Sequence, residues 1–265
     1  MSGSGNDFIL VDNRNNQIKN NKIGRLVKRI CRRRESVGAD GVIFLIKSDQ
    51  HDFGWRFFNA DGGEVEMCGN GGRCVSRFAF LQGIAGRNMT FETLAGIVTA
   101  EVNGNIVKIL MPKPSAISLN IDLALHESWN NVDFINTGVP HVVVMVDDLA
   151  NHPISDHGRE IRYHSLFAPE GTNANFMTIT GPDLIEIRTY ERGVEDETLA
   201  CGTGAIACAL TAAARGIVSS PVKVGTRGGD KLTIYFKKNG LLFEQVEFEG
   251  RTSIIYRASL HEEAL

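Results

Sequence analysis

The sequence predicts an α+β fold of two pseudo-symmetric domains, each mainly antiparallel strands wrapped around a central helix, with the candidate site in the interdomain cleft. The first observation is a repeated motif. Met67-Cys68-Gly69-Asn70-Gly71-Gly72 returns 133 positions later as Ala200-Cys201-Gly202-Thr203-Gly204-Ala205, in a chain of 265 residues. The second observation is that strand-like segments greatly outnumber helical ones. The chain is therefore expected to consist of two related halves.

The individual elements follow from the spacing of apolar residues. Short apolar or alternating runs predict strands at Phe8–Val11, Val42–Ile46, Trp55–Phe58, Ile97–Val102, Val107–Met111, Val142–Val146, Asn175–Ile179, Leu184–Tyr190, Leu232–Phe236 and Leu242–Phe248. A single apolar face predicts a helix from Lys22 to about Arg34. Two further helices follow the motif cysteines and run toward Gly83 and Gly216. The second of them, Gly202–Arg215, is almost wholly apolar or small, which predicts a helix enclosed on all sides.

A domain boundary is predicted near the middle of the chain. Pro112 and Pro114 lie two positions apart there, and proline disfavours regular structure. We therefore expect an N-terminal domain at 1–115 and a C-terminal domain at 116–253, with residues 254–265 packing back on the first. Each domain then carries one copy of the cysteine motif.

Composition restricts the classes of partner. The formal net charge is −3, so there is no general attraction to nucleic acid or to an anionic membrane, and no apolar run approaches the length of a membrane span. The basic run at 28–34 lacks interleaved aromatic residues and is expected to be a solvated helix face. The chain starts without a secretion signal, which favours a cytoplasmic location. Small molecules or a second copy of the chain are the expected partners.

The five cysteines are expected to be thiols. Their number is odd, no Cys-x-x-Cys pair occurs, and no histidine or carboxylate spacing is typical of a metal site, so no metal is predicted. Cys68 and Cys201 lie where helices would start, and a helix N-terminus favours the thiolate that acts as base or nucleophile. The adjacent glycines leave backbone N–H groups for a carboxylate or other anion. Cys31, Cys74 and Cys208 are interpreted as buried structural residues.

Several motifs together resemble the diaminopimelate epimerase family over nearly the whole chain. They are Gly5-Asn6-Asp7-Phe8, Phe58-Asn59-Ala60-Asp61-Gly62, Cys68-Gly69-Asn70-Gly71, Arg73-Cys74, Pro140-His141, Tyr190-Glu191-Arg192-Gly193 and Ala200-Cys201-Gly202-Thr203-Gly204. The resemblance implies interconversion of LL- and meso-diaminopimelate without a cofactor, a step toward lysine and peptidoglycan precursors. It also implies a homodimer.

The resemblance assigns roles by position. Cys68 and Cys201 would be paired bases on opposite faces of the α-carbon, with His141 and Glu191 assisting the thiols. Backbone N–H groups at the two helix starts would hold the reacting α-carboxylate, and these belong to Gly69, Asn70, Gly202 and Thr203. The rest of the substrate would be held by Asn6, Asn59, Asn173, Glu191 and Arg192. Arginine suits a distal carboxylate because its planar fork binds in a bidentate manner.

Alternative functions remain open at this point. One alternative is a related two-cysteine racemase with another or broader substrate range. It stays open because Val139 stands where many family members have asparagine and because the chain begins close to its first motif. Gly202-x-Gly204-x-x-Ala207 also fits a relaxed dinucleotide fingerprint, although the expected strand and acidic residue are lacking. A catalytically inactive binding protein and a pyridoxal phosphate racemase are the remaining alternatives.

Overall fold

The computed structural model describes residues 1–115, 117–125 and 131–264. Contacts divide the chain into two compact units, one formed by Met1–Leu110 with Gly250–Leu265 and the other by Met111–Glu249. The domain boundaries predicted from the prolines stay a prediction. Each unit is described separately below.

The first unit contains eight strands and two α-helices among its described residues. The strands are β1 (Ser2–Gly3), β2 (Asn6–Asp12), β3 (Gly41–Ile46), β4 (Phe53–Asn59), β5 (Glu64–Val65), β6 (Asn88–Thr93), β7 (Gly96–Asn103) and β8 (Ile106–Leu110). The helices are α1 (Asn20–Ile30) and α2 (Gly69–Leu81). A short 3-10 turn, Glu262–Ala264, lies near the end of the chain.

The second unit has matching elements. Its strands are β9 (Ser118–Asp122), β10 (Asn131–Asn136), β11 (Pro140–Met145), β12 (Asn173–Gly181), β13 (Leu184–Glu191), β14 (Asp196–Thr198), β15 (Val222–Gly225), β16 (Lys231–Asn239) and β17 (Leu242–Arg251). Its helices are α3 (Ile154–Arg162) and α4 (Gly202–Ala214), with a 3-10 turn at Ser165–Phe167. The last residues of β17, from Gly250 onward, belong to the first unit.

The two units share one strand topology. In the first, β2 pairs in parallel with β3 across α1, β3 is antiparallel to β4, β4 is parallel to β6 across α2, and β6, β7 and β8 form an antiparallel meander. In the second, β11, β12, β13, β15, β16 and β17 repeat that order across α3 and α4. Parallel pairs need a crossover, and each of the four helices supplies one. The predicted α+β fold of two pseudo-symmetric halves is confirmed.

The helices that follow the cysteines are buried. Both are thirteen residues long, and in α4 every residue from Gly204 to Ala213 is buried. The α4 helix packs against strands β10 to β13, β15 and β16, which explains why a nearly uniform apolar sequence is tolerated there. Gly83 and Gly216 follow the two helices with φ of 67° and 74°, a left-handed conformation that ends a helix.

Helix α3 was not predicted. It is nine residues long and carries Gly158 in its interior, and glycine disfavours helix on propensity alone. The structure supplies the reason for this glycine, because a Cβ at Gly158 would collide with the side chain of Tyr190, first of all with its Cβ. Strands β1, β5, β6, β9, β10, β14 and β15 were also missed. Conversely, α1 ends at Ile30 rather than near Arg34, whose φ of 73° does not continue a helix.

Candidate functional site

Both motif cysteines cap a buried helix, as the sequence predicts. Cys68 precedes α2 in an extended conformation, and its Sγ accepts a hydrogen bond from the Gly71 backbone N at 3.4 Å. Cys201 precedes α4 in a similar conformation, and its Sγ lies 3.5 Å from the Thr203 hydroxyl. The first N–H groups of a helix lack intrahelical acceptors, so each cysteine lies at a natural anion site.

The other three cysteines lie in the protein interior. Burial raises the pKa of Cys31 to about 11 and that of Cys74 to about 12, and it also raises the pKa of Cys208. None of the five cysteines is in a disulfide bond. The three buried ones stay protonated at neutral pH, because desolvation penalises the charged form.

Asn6 and Asn70 meet in the first unit. The Asn70 Nδ2 donates to Asn6 Oδ1 at 2.7 Å, although Asn70 was predicted only to offer its backbone. The buried Arg73 donates to Asn70 Oδ1 at 2.6 Å and to the Ser4 hydroxyl at 2.9 Å. A buried guanidinium therefore fixes the first turn of α2 immediately after Cys68.

A second ion network orients Asn6 from the other side. Asn6 Nδ2 donates to Asp40 at 3.2 Å, and Arg33 binds Asp7 through both terminal nitrogens and Asp40 through one. Burial alone would raise the pKa of Asp7, but Arg33 and Asp40 hold it below its usual value. Arg33 was predicted to lie on a solvated helix face. It has left α1 and instead anchors the polar turn that carries Asn6.

Asn59 is the exposed last residue of β4, in register with Gly41. Its backbone N donates to the Gly63 carbonyl at 3.0 Å, which closes the turn that follows. In the described structure Asn59 is thus placed by the sheet register rather than by a side-chain network.

In the second unit, one face of the sheet is apolar and the other carries polar residues. The apolar face packs on α3 and includes Val142, Val144, Ala174, Phe176 and Tyr190. Because side chains alternate along a strand, His141, Asn173, Asn175 and Glu191 lie on the opposite face. Gly204 of α4 lies directly against Asn175 there. The polar face is therefore next to the helix that Cys201 begins.

His141 is fully buried and hydrogen-bonded through one ring nitrogen. Its Nδ1 lies 3.1 Å from Asn175 Nδ2, and among the described residues its Nε2 has no hydrogen-bond partner. Burial, together with the nearby charge of Arg192, lowers the pKa of His141 to about 3. The ring is therefore neutral at pH 7.

Asn173, the first residue of β12, connects the start of β11 to the turn that carries Arg192. Its Nδ2 donates to the Pro140 carbonyl at 2.9 Å, and its Oδ1 accepts from the Arg192 backbone N at 2.9 Å. The guanidinium of Arg192 makes a long hydrogen bond to the Glu170 carbonyl, at 3.4 Å. Asn173 is thus used largely to hold the backbone. The Arg192 guanidinium makes this one hydrogen bond within the described residues, so most of its fork can bind other acceptors.

The remaining predicted residues of the second unit lie at the C-terminal end of β13 and at the start of α4. Glu191 is the last residue of β13, and its carbonyl accepts from the backbone N of Glu195 at 2.8 Å. Gly202 and Thr203 form the first turn of α4, and the Thr203 carbonyl accepts from the Thr137 hydroxyl at 3.1 Å. These contacts fix the direction in which the first N–H groups of α4 point.

Several residues of the networks were not predicted as site residues, among them Ser4, Asp40, Arg73 and Asn175. Asn175 lies two positions after Asn173, so strand alternation places both on one face and could have indicated it. Arg73 was quoted only as part of a motif, and its burial is not visible in the sequence. Within 1–115, 117–125 and 131–264, no group of three or more His, Cys, Asp or Glu side chains could hold a metal ion, and no helix is long and apolar enough to cross a membrane.

Comparison with known proteins identifies the family. The diaminopimelate epimerase family model matches residues 1–117 and 134–248. The diaminopimelate epimerase of Aquifex aeolicus strain VF5 is 45% identical over 279 residues, covering 100% of this chain and 98% of that protein. The diaminopimelate epimerase of Chlorobaculum tepidum is 40% identical over 264 residues, covering 98% and 99%.

Solved structures with low sequence identity show the same fold. A phenazine biosynthesis protein of the PhzF family from Bacillus anthracis has a TM-score of 0.72 at 18% identity, covering 95% of this chain and 92% of the other. A probable proline racemase from Agrobacterium radiobacter K84 has a TM-score of 0.62 at 20% identity, covering 85% and 77%. Taken with the full-length relatives, these matches give one conclusion. The chain belongs to the diaminopimelate epimerase family of isomerases.

Proposed function

We propose that this enzyme interconverts LL- and meso-diaminopimelate without a cofactor, with Cys68 and Cys201 as its two bases. The observation that carries the proposal is the duplication: each half places a cysteine at the N-terminus of a buried thirteen-residue helix. A helix N-terminus stabilises a thiolate and a bound carboxylate for the same electrostatic reason. Family membership supports the substrate.

The reaction requires two proton transfers at one carbon. The thiolate of one cysteine takes the α-proton, so that an S–H bond forms as the C–H bond breaks and the electron pair delocalises into the α-carboxylate. The thiol of the other cysteine gives a proton to the opposite face and becomes the thiolate. Stereochemistry is inverted, and the two cysteines exchange protonation states.

The helix starts stabilise the charge that develops on the carboxylate. Backbone N–H groups of Gly69 and Asn70 in α2, and of Gly202 and Thr203 in α4, are the donors that we assign to it. Preorganised donors of this kind lower the barrier because they need no reorientation during the reaction. The hydrogen bonds to Asn70 and Thr203 described above support this assignment, since they hold both helix starts in place.

We assign the remaining groups of the substrate to the polar side chains around the motifs. Arg192 would bind the distal carboxylate through its planar fork. Asn6, Asn59, Asn173 and Glu191 would orient the distal carboxylate and ammonium groups, with Asn173 acting partly through the Arg192 backbone. His141 and Glu191 would assist the thiols. Because His141 is neutral, it contributes as a hydrogen-bond donor rather than as a cation.

Proton NMR of diaminopimelate in D₂O, with reductant and no added cofactor, tests the proposal. Wild-type enzyme should epimerise the substrate and introduce deuterium at the α-carbon. Cys68→Ser and Cys201→Ser should each lower kcat by at least about 100-fold, because a serine hydroxyl is a far weaker acid than a thiol. Cys208→Ala is the matched control, since this buried cysteine lies in the helix that Cys201 caps, and the variant should remain active.

Two outcomes would contradict the proposal. Wild-type enzyme that leaves diaminopimelate unchanged would refute the substrate, and α-proton exchange would then be screened with other amino acids. Full activity in either motif variant would refute the two-thiol mechanism.

We further propose that the enzyme is a cytoplasmic homodimer that binds neither nucleic acid nor membrane. The net charge of −3 and the family resemblance support this. Sedimentation equilibrium would give the oligomeric state, and cell fractionation would give the location. A monomeric mass or a membrane-pelleted enzyme would overturn the corresponding part.

A further inference from the structure

We propose that Asn175 is a positioning residue that holds His141 in the tautomer with its proton on Nε2. The inference deepens the function proposed above, because it defines how His141 can assist the thiol chemistry. Asn175 was not among the residues predicted from sequence. It is fully buried in the second unit, between the sheet and α4.

The hydrogen bonds of Asn175 fix the orientation of its amide. Its Nδ2 lies 2.8 Å from the Val142 carbonyl oxygen, which can only accept, so the NH₂ group must face that side. The Thr189 hydroxyl lies 3.0 Å from Asn175 Oδ1 and donates to it. A flipped amide would place oxygen against oxygen at Val142.

The orientation of the amide determines the state of the imidazole. Because Nδ2 also lies 3.1 Å from His141 Nδ1, this ring nitrogen accepts the second amide proton. Burial keeps the ring neutral, so its single proton must be on Nε2. His141 therefore presents an N–H donor at its buried Nε2, which has no partner among the described residues.

The first unit provides an internal comparison. By strand order, β2, β3 and β4 correspond to β11, β12 and β13, and the positions of His141, Asn175 and Thr189 are taken by Phe8, Ile43 and Phe57. A Cβ at Gly71 would lie 3.1 Å from Ile43 Cδ1, just as a Cβ at Gly204 would meet Asn175 Oδ1.

The comparison separates a structural role from a chemical one. In the first unit β2 carries Phe8, and the residue against Gly71 is the apolar Ile43. In the second unit β11 carries His141, and the residue against Gly204 is Asn175, whose amide binds the Thr189 hydroxyl. The fold alone does not require a polar group at this position, and the polar pair accompanies His141.

The tautomer can be observed without substrate. Protein labelled with ¹⁵N in its histidines gives two-bond proton–nitrogen correlations that separate protonated from unprotonated ring nitrogens, and His141→Gln assigns the His141 signals. In the wild type between pH 6 and 8 we expect Nε2 protonated and Nδ1 unprotonated. Protonated Nδ1 in this spectrum would overturn the proposal, and no variant is needed for that result.

Two variants test whether Asn175 is what fixes the tautomer of His141. The carboxylate introduced by Asn175→Asp cannot donate, so it should draw the proton to Nδ1 or leave both nitrogens protonated. The matched control Thr189→Val removes the hydroxyl but keeps both Nδ2 contacts, and it should retain the Nε2 tautomer. If Asn175→Asp does not fold, Asn175→Leu should convert the single tautomer into a mixture. An unchanged Nε2 tautomer in the folded Asn175 variant would refute the inference.

Kinetics separates this inference from the proposed function. With diaminopimelate, Asn175→Asp should lower kcat by about 10- to 100-fold with a smaller change in KM, because the ring would lose its Nε2 donor and with it a charge-assisted hydrogen bond. Thr189→Val should stay within about 3-fold. If diaminopimelate is not a substrate but the NMR results hold, the proposed substrate fails and the tautomer assignment stands.

Discussion

The Gly204→Ala substitution should destabilise the protein, although alanine is the better helix former. Gly204 lies in the buried first turn of α4, and an added Cβ would overlap Asn175 Oδ1 and lie 3.3 Å from Cys201 Cβ. Asn175 cannot move away freely, because its amide is hydrogen-bonded to Val142, His141 and Thr189. The collision therefore involves a fixed polar group rather than a flexible chain end.

The expected magnitude follows from opposing contributions. Replacing glycine by alanine inside a helix gains about 0.5–1 kcal/mol. Overpacking a tight site costs about 1–3 kcal/mol, and each strained or lost hydrogen bond of Asn175 costs about 1 kcal/mol more. We expect a net loss of about 2 kcal/mol in the free energy of unfolding.

A glycine near the start of the other cysteine helix, at the position equivalent to Ala205, serves as the control. A Cβ at Gly72, in the buried first turn of α2, would lie 3.4 Å from Ile109 Cδ1, an ordinary van der Waals contact. Gly72→Ala should therefore be neutral or stabilising by up to about 1 kcal/mol. Urea unfolding, followed by circular dichroism and tryptophan fluorescence, measures both variants.

A double-mutant cycle tests the reasoning directly. In an Asn175→Ala background there is no Oδ1 to meet the new Cβ, so Gly204→Ala should cost at least about 1 kcal/mol less than in the wild type. The same cost in both backgrounds would show that Asn175 is not the obstacle. A Gly204→Ala protein as stable as the wild type would refute the steric argument altogether.

Two further predictions concern groups whose pKa is shifted. Burial raises the pKa of Cys74 to about 12. Iodoacetamide at pH 8 should therefore leave Cys74 unmodified in the native enzyme while it labels the partly exposed Cys68. Peptide mass mapping that finds Cys74 alkylated first would contradict this. Arg33 holds the pKa of Asp7 below its usual value, so Arg33→Met should lower stability by less than about 1 kcal/mol at pH 7, since both side chains are partly solvated. A depressed carboxyl pKa stabilises the fold above the unfolded-state pKa, so the difference should disappear as the pH falls below about 4. A difference that persists at pH 2 would show that the pair acts through packing instead.

The sequence was most informative where local rules and the repeat agree. Cysteine followed by glycines, an apolar stretch and a terminal glycine predicted both buried helices, because capping and left-handed termination are local effects. Helix α3 was missed because its interior glycine and polar residues weaken the helical pattern. Yet Ile154 lies 134 positions after Asn20, which begins α1, nearly the offset of the two cysteines. The repeat itself could have located α3.

The polar networks were harder to predict than the fold. A single asparagine in a strand or turn has the same appearance in a sequence whether it binds a ligand, closes a turn or positions another side chain. Asn70 and Asn175 are distinguished only by their partners, which are 64 and 34 residues away in the chain. Pairing of such distant groups depends on strand register, which a single sequence does not specify.

The duplicated halves carry different side chains behind the two cysteine helices, which bears on the proposed two-thiol reaction. A reaction with two bases requires one thiolate and one thiol at the same time, so two cysteines in equivalent surroundings would have no preferred assignment. Behind the Cys68 helix lie Phe8 and Ile43, with the buried cation of Arg73 in the helix itself. Behind the Cys201 helix lie a neutral His141 and the amide of Asn175. Because the two halves share one strand topology, this side-chain asymmetry is what can distinguish the two thiols in the proposed mechanism.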